Sequence, residues 1–123
     1  MKPQDLQDRT KDFALRVMKP ASFLEKDSLG KLIGRQIFRS GTSVAANYRA
    51  ACKAKSVKDF VAKLGIVIEE ADETCFWIEL LNDSTIVTNN KLESLLQESK
   101  EITAIMVSSR NSAIKNQREK LKT

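Results

Sequence analysis

Four carboxylates, Glu69, Glu70, Asp72 and Glu73, fall within one short stretch. On a helix, Glu69 and Glu73 are i, i+4 neighbours, and carboxylates at that spacing could share a hard divalent cation. The competing chemistry is ion pairing. If the chain reverses near Lys55, Arg39 lies level with about residue 71 of the returning helix and faces Glu70 or Glu73; Arg35 stands one turn further along. Charge-assisted pairs between helices, fixing their register, account for these residues without a ligand, and pairing is the favoured reading.

Other chemistry is sparse. The chain has no His, which removes the commonest general base and metal ligand and the nucleophilic dyads built on it. It also removes the Glu-x-x-His pairs of di-iron bundles. The 4 Gly form neither Gly-x-Gly nor Gly-Lys-Ser/Thr phosphate loops. Cys52 and Cys75 stand apart, about 25 Å along a hairpin at 1.5 Å per residue, beyond disulfide reach. They read as reduced, small, apolar side chains. No catalytic residue, cofactor or metal is expected, so the chain is not expected to be an enzyme.

Charge is the remaining lead. The 21 Lys and Arg against 16 Asp and Glu give a formal net charge of +5 and a pI of about 9.3. Lys31, Arg35, Arg39, Arg49, Lys53, Lys55, Lys58 and Lys63 fall in one stretch whose single acid is Asp59. Arg49, Lys53, Lys55, Lys58 and Lys63 would cluster around a helix turn, and Lys115, Arg118, Lys120 and Lys122 form a second basic group near the C-terminus. Such groups attract phosphate backbone through counterion release, without base specificity. A solvated, solubilising face is the alternative.

The elements that carry these residues are helical. At 123 residues, with 41% hydrophobic and 30% charged side chains, the chain is one soluble domain with enough core to need no staples. Only 4 Gly and 2 Pro favour a few long elements over many short ones. Leu6, Phe13, Val17 and Leu24, widened by Leu15, Met18 and Phe23, mark a helix over about 5–25 that Pro20 should kink or end. Ser28 is the N-cap candidate for a second helix over about 29–53, with a seam of Ile33, Ile37, Val44, Tyr48 and Ala51. Ser40, Ser43, Ala46, Ala50 and Ala54 keep one side of it thin, so a neighbouring helix can approach closely. Asn47, among them, reads as a buried hydrogen-bonding residue that specifies alignment.

Ser56 caps a third helix over about 57–82, with Asp59 as a near capping box. Its stripe is Phe60, Leu64, Val67, Ala71, Cys75, Ile78 and Leu81, extended by Val61, Ile68, Trp77 and Leu80. That arc is too wide for one buried face, which implies a central helix or one also used in an oligomer contact. Tyr48 and Trp77 read as core or interface anchors. A turn at Asn82–Thr85 leads to a fourth helix over about 89–114, with Leu92, Leu95, Leu96, Ile102, Ile105 and Met106, followed by a fraying basic tail over 115–123. The fold expected is an all-α, up-down-up-down antiparallel four-helix bundle. No segment reaches the length of a membrane span, and the N-terminus lacks an apolar signal core, so a cytoplasmic protein is expected.

The motifs Phe13-Ala14-Leu15-Arg16, Ile33 through Ala51 with its Arg39-Ser40-Gly41-Thr42-Ser43-Val44-Ala45-Ala46-Asn47 core, Asp59-Phe60, Lys63 through Thr74, and Trp77 through Leu81 resemble the four helix bundle protein family. These small bacterial proteins were first noticed as reading frames inside intervening sequences of 23S ribosomal RNA genes. The resemblance covers most of residues 8–83. It implies a left-handed bundle that assembles as a ring-like homopentamer, with no enzyme activity assigned and an unsettled role. A related branch, the accessory variability proteins of diversity-generating retroelements, implies nucleic-acid binding through a basic surface, although that branch does not share the Arg39-to-Asn47 motif closely. Two functions follow as expectations: an oligomer that binds RNA or DNA backbone, or an oligomeric scaffold for a protein partner whose positive charge is incidental.

Overall fold

In the computed structural model of the chain, residues 2–84, 86 and 90–122 are described. Four helices account for nearly all of them: α1 (Pro3–Phe23), α2 (Ser28–Ala51), α3 (Val57–Asp83) and α4 (Asn90–Lys122), with a 3₁₀ turn at Leu24–Lys26. Cross-helix pairs fix their directions. Val17 lies against Gly41 while Leu24 lies against Gly34 and Gly30. Arg39 and Ser40 reach Glu70 and Thr74, Gly65 sits beneath Arg110, Cys75 meets Ser99, and Arg9 and Arg16 reach Glu98 and Ser94. Between α1 and α2, α3 and α4, and α1 and α4, numbering rises on one helix as it falls on the other, and the short turn between Ala51 and Val57 folds α3 back on α2. The result is an antiparallel bundle, α1–α2–α3–α4 in ring order. Three connections alternate between its ends.

The core is where the helical stripes meet. Phe13, Val17, Ile37, Val44, Leu64, Val67, Ile78, Leu81, Ile102 and Met106 are sealed from solvent. Tyr48 is buried with them, and Trp77 and Phe60 pack against them half-buried. Leu15 and Met18, expected to widen the α1 stripe, are about half exposed instead: α1 is covered on one side only, by α2 and more lightly by α4.

Local signals explain most boundaries. Pro3 occupies the first turn of α1, where its missing N–H costs nothing. Of the kink or end expected at Pro20, the end does not occur. The helix runs on to Phe23 before tightening into the 3₁₀ turn, and the N–H of Leu24 closes on the carbonyl of Pro20 itself. The cap of α2 is Asp27 rather than Ser28: its carboxylate accepts the N–H of Gly30 at 2.7 Å, which makes Ser28 the first helical residue. Ser56 caps α3, accepting the N–H of Asp59 at 3.0 Å. Of the expected turn at Asn82–Thr85, Asn82 and Asp83 complete α3 and Ser84 is its C-cap; Thr85 lies outside the described residues.

Close approach also falls elsewhere than the small side chains suggest. Ala46 and Ala50 are exposed, and Ser43 and Ala54 half-exposed. No helix lies tight against that side. The tight neighbour is α1, which crosses α2 at its glycines: a β-carbon on Gly41 would stand 2.8 Å from Val17 Cγ1, and one on Gly34 would stand 3.2 Å from the Ala21 α-carbon. Toward α3, Ser40 is fully buried and its hydroxyl bonds Thr74 at 2.8 Å.

The second departure is the C-terminus. The expected basic tail of residues 115–123 is helical to Lys122. Lys115, Gln117, Arg118, Glu119, Lys120, Leu121 and Lys122 all favour helix, neither Gly nor Pro interrupts them, and cations in the last turn suit the negative end of the helix dipole. The missing apolar stripe leaves this stretch uncovered. It does not leave it unfolded.

Candidate functional site

The antiparallel order puts four things at one end of the bundle: the start of α1, the α2–α3 turn, the start of α3 and the last turns of α4. Over residues 2–9 the first of these carries Lys2 and Arg9 against Asp5 and Asp8, and so adds no net charge. Arg49 and Lys53 come from the end of α2 and the turn, Lys55 from the turn, Lys58 and Lys63 from α3, and Lys115, Arg118, Lys120 and Lys122 from α4. All are exposed except Lys63, which is half-exposed. The two basic groups read separately along the chain thus converge. Within residues 49–63 and 115–122 there are nine Lys and Arg against two acids, Asp59 and Glu119. Of 21 basic and 16 acidic residues in the chain, the remaining twelve and fourteen leave the rest of the molecule net acidic. The positive excess belongs to one end.

Part of that charge is locally neutralised. Lys63 Nζ bonds Asp59 at 2.8 Å, and this contact, above all, holds the Asp59 carboxyl below its ordinary value. Between the turn and α4 lies an open cleft of about 550 Å³. Ala51, Cys52, Phe60 and Ala113 make its apolar floor, Asn116 and Gln117 place amides on its α4 side, and Lys55 and Lys120 flank it. This cleft has no signature in the sequence, because it needs the fourth helix to run past the turn.

Further along the hairpin, the Arg39 guanidinium bonds Glu70 at 3.3 Å and also Glu73. The Glu73 hydrogen bond first, with both carboxylate charges adding, raises the Arg39 pKa against the opposing effect of desolvation. Among the described residues, Arg35 and Glu69 form no ion pair, and no three acidic or cysteine side chains converge as metal ligands. Asn47 is half-buried and donates to the Ser43 carbonyl at 2.8 Å. That bond lies within its own helix, so it aligns no neighbour. Cys52 and Cys75 are both free thiols.

The outer side of α3 carries the other unexpected feature. Ala62, Ile66, Glu69, Glu73, Phe76 and Leu80 follow one another at alternating four- and three-residue steps, the spacing of a coiled-coil seam. Ile66, Phe76 and Leu80 are 46%, 53% and 41% exposed. Phe76 stacks edge-on against Trp77 with ring centroids 5.0 Å apart, and the buried Trp77 Nε1 has no acceptor.

Residues 3–108 match the family model described as 23S rRNA-intervening sequence protein. The chain belongs to that family. A 23S rRNA-intervening sequence protein is therefore the frame in which this bundle is read, and the match stops short of the last turns of α4 that help form the basic end. The fold agrees with a crystal structure of a protein of unknown function from the S23 ribosomal protein family of Bacteroides thetaiotaomicron. That structure is 37% identical, covers 85% of this chain and 97% of its own, and superposes with a TM-score of 0.79. No curated protein matches the chain. No helix among the described residues is long and apolar enough to cross a membrane.

Proposed function

We propose that this 23S rRNA-intervening sequence protein is a non-enzymatic, cytoplasmic homo-oligomer that grips nucleic-acid phosphate backbone with its basic end. The observation that carries the reading is the charge separation: nine Lys and Arg against two acids across the α2–α3 turn and the end of α4, and a net acidic remainder. A molecule so divided meets a polyanion end-first, and releasing counterions from the phosphates supplies affinity without reading sequence. The exposed Ile66, Phe76 and Leu80 on one face of α3, with Glu69 and Glu73 between them, support self-assembly, because apolar side chains left uncovered on one helix face often mark interfaces. The family resemblance makes a pentamer the expected ring. Repeating the basic end around a ring multiplies a weak contact into a firm one.

Light scattering after size exclusion, with and without a short RNA duplex, tests both halves. The expected result is a mass near that of a pentamer that shifts with RNA at low salt and not at ~0.3 M salt. An oligomer that ignores RNA at both salts refutes the backbone reading and favours the second one, a scaffold whose α3 seam takes a protein partner. A monomer refutes assembly.

A further inference from the structure

We infer that the cleft between the α2–α3 turn and α4 receives an unpaired nucleobase, so that the basic end prefers single strands and strand ends to closed duplex. The inference rests on the backbone-binding reading and adds to it. A surface that held only phosphates would need nothing but exposed cations. Here Lys55 and Lys120 line an open cleft of about 550 Å³ that also has an apolar part, within the ~300–1,000 Å³ typical of clefts that accept small organic groups.

Its lining suits a neutral, flat base better than a bare anion. Phe60, Cys52 and Ala113 offer apolar surface to a π-face. Asn116 and Gln117 each carry both a donor and an acceptor on one amide, the combination that pairs with the mixed edge of a nucleobase and that a simple fatty or inorganic anion would leave unmatched. Lys55 stands at the mouth with Lys53 and Lys58 beside it in sequence, where the phosphates flanking an inserted base would pass. A duplex keeps its bases stacked inside and can offer only its backbone, so it would leave the recess unused.

Three probes of equal phosphate number separate the possibilities by fluorescence anisotropy at low salt: a single RNA strand of about ten nucleotides, a strand of the same length lacking bases, and a duplex. The base-bearing strand should bind about tenfold more tightly than the abasic one. Ala113→Leu, which fills the floor without altering charge, should collapse that difference. On the unmodified protein, the base-bearing strand should slow the reaction of half-buried Cys52 with a thiol reagent, and the abasic strand should not; Cys75, buried behind Ser99, serves as the internal control. Equal binding of base-bearing and abasic strands, or no protection of Cys52, overturns this inference and leaves backbone binding standing. Failure of all three probes to bind overturns both.

Discussion

A methyl group placed on Gly41 would lie 2.8 Å and 2.9 Å from the two γ-carbons of Val17. Contacts that short force something to move, and little can. Val17 is wholly buried and, being β-branched, has one strongly preferred rotamer on a helix. Gly41→Ala therefore sets two effects against each other. Helix propensity and the stiffer unfolded chain favour Ala by ~1 kcal/mol. Overpacking a tight crossing costs ~1–3 kcal/mol. The net expectation is a loss of about 1 kcal/mol. Gly65→Ala provides the control, since its new methyl would find its nearest neighbour, Arg110 Nε, at 3.9 Å, an ordinary contact. There the propensity gain stands alone, at up to ~1 kcal/mol. Two chemically identical changes should thus differ by about 2 kcal/mol and in sign.

Urea denaturation followed by Trp77 fluorescence, at fixed protein concentration so that assembly contributes equally, reads both changes. Combining Gly41→Ala with Val17→Ala makes the argument stricter, because shortening Val17 vacates the space the new methyl needs. The double variant should be more stable than the sum of the singles by ~1 kcal/mol or more. If Gly41→Ala stabilises as much as Gly65→Ala, or if the pair is additive, the α1–α2 crossing is not limited by Gly41 and the packing argument is wrong.

Thr74→Val should cost ~1–2 kcal/mol in the same assay, because it deletes the hydroxyl that bonds the Glu70 carbonyl at 2.7 Å and the Ser40 hydroxyl at 2.8 Å in a buried site; an unchanged midpoint would show that Ser40 and Thr74 are mere filler. Arg9→Ala should cost more than Arg39→Ala. Arg9 grips both oxygens of Glu98 at 2.6 Å and 2.9 Å, with side chains only 28% and 20% exposed, and is expected to be worth ~1–2 kcal/mol. The Arg39 pairs are 48% exposed on the arginine side, so ~0.5 kcal/mol or less is expected, fading in salt; equal losses would contradict the ranking. Tyr48, the single tyrosine, has its pKa raised well above the ordinary 10.0, by burial first and by its hydrogen bond with Cys52 second. A raised folded value means the stabilisation is complete below pH 10 and is lost as pH climbs beyond it. Tyrosinate absorbance should therefore appear together with alkaline unfolding, and a separate rise near pH 10 in folded protein would refute that burial.

The helices were legible because their apolar spacing is long and regular: Leu64, Val67, Ala71, Ile78 and Leu81 declare one buried face with no help from context. What went unread was decided by contacts between elements. Ser28 and Asp27 are both good caps, and only the path of the chain out of the 3₁₀ turn selects the aspartate. Ser43, Ala46 and Ala50 look like a groove for a neighbour, yet the neighbour that comes close is α1, over Gly34 and Gly41. Sequence offers Gly the same letter whether a backbone passes above it, as at Gly34, or only a flexible arginine, as at Gly65. The end of α4 is not legible from periodicity, because an absent apolar stripe does not mean an absent helix. That stretch has ample helix propensity, and its extension is what builds the far wall of the cleft and joins two basic groups into one.

An even number of antiparallel helices returns the chain to the end where it began. Pro3 opens α1 beside the α2–α3 turn, and Lys122 closes α4 there too, so both chain ends border the basic surface. Whatever is joined to either terminus, whether a purification tag, a fluorophore or a tether to a sensor chip, stands at the doorstep of the region whose binding it is meant to report. The connection around Asp27 lies at the opposite pole. A protein anchored from there would present its charged end to solution unobstructed.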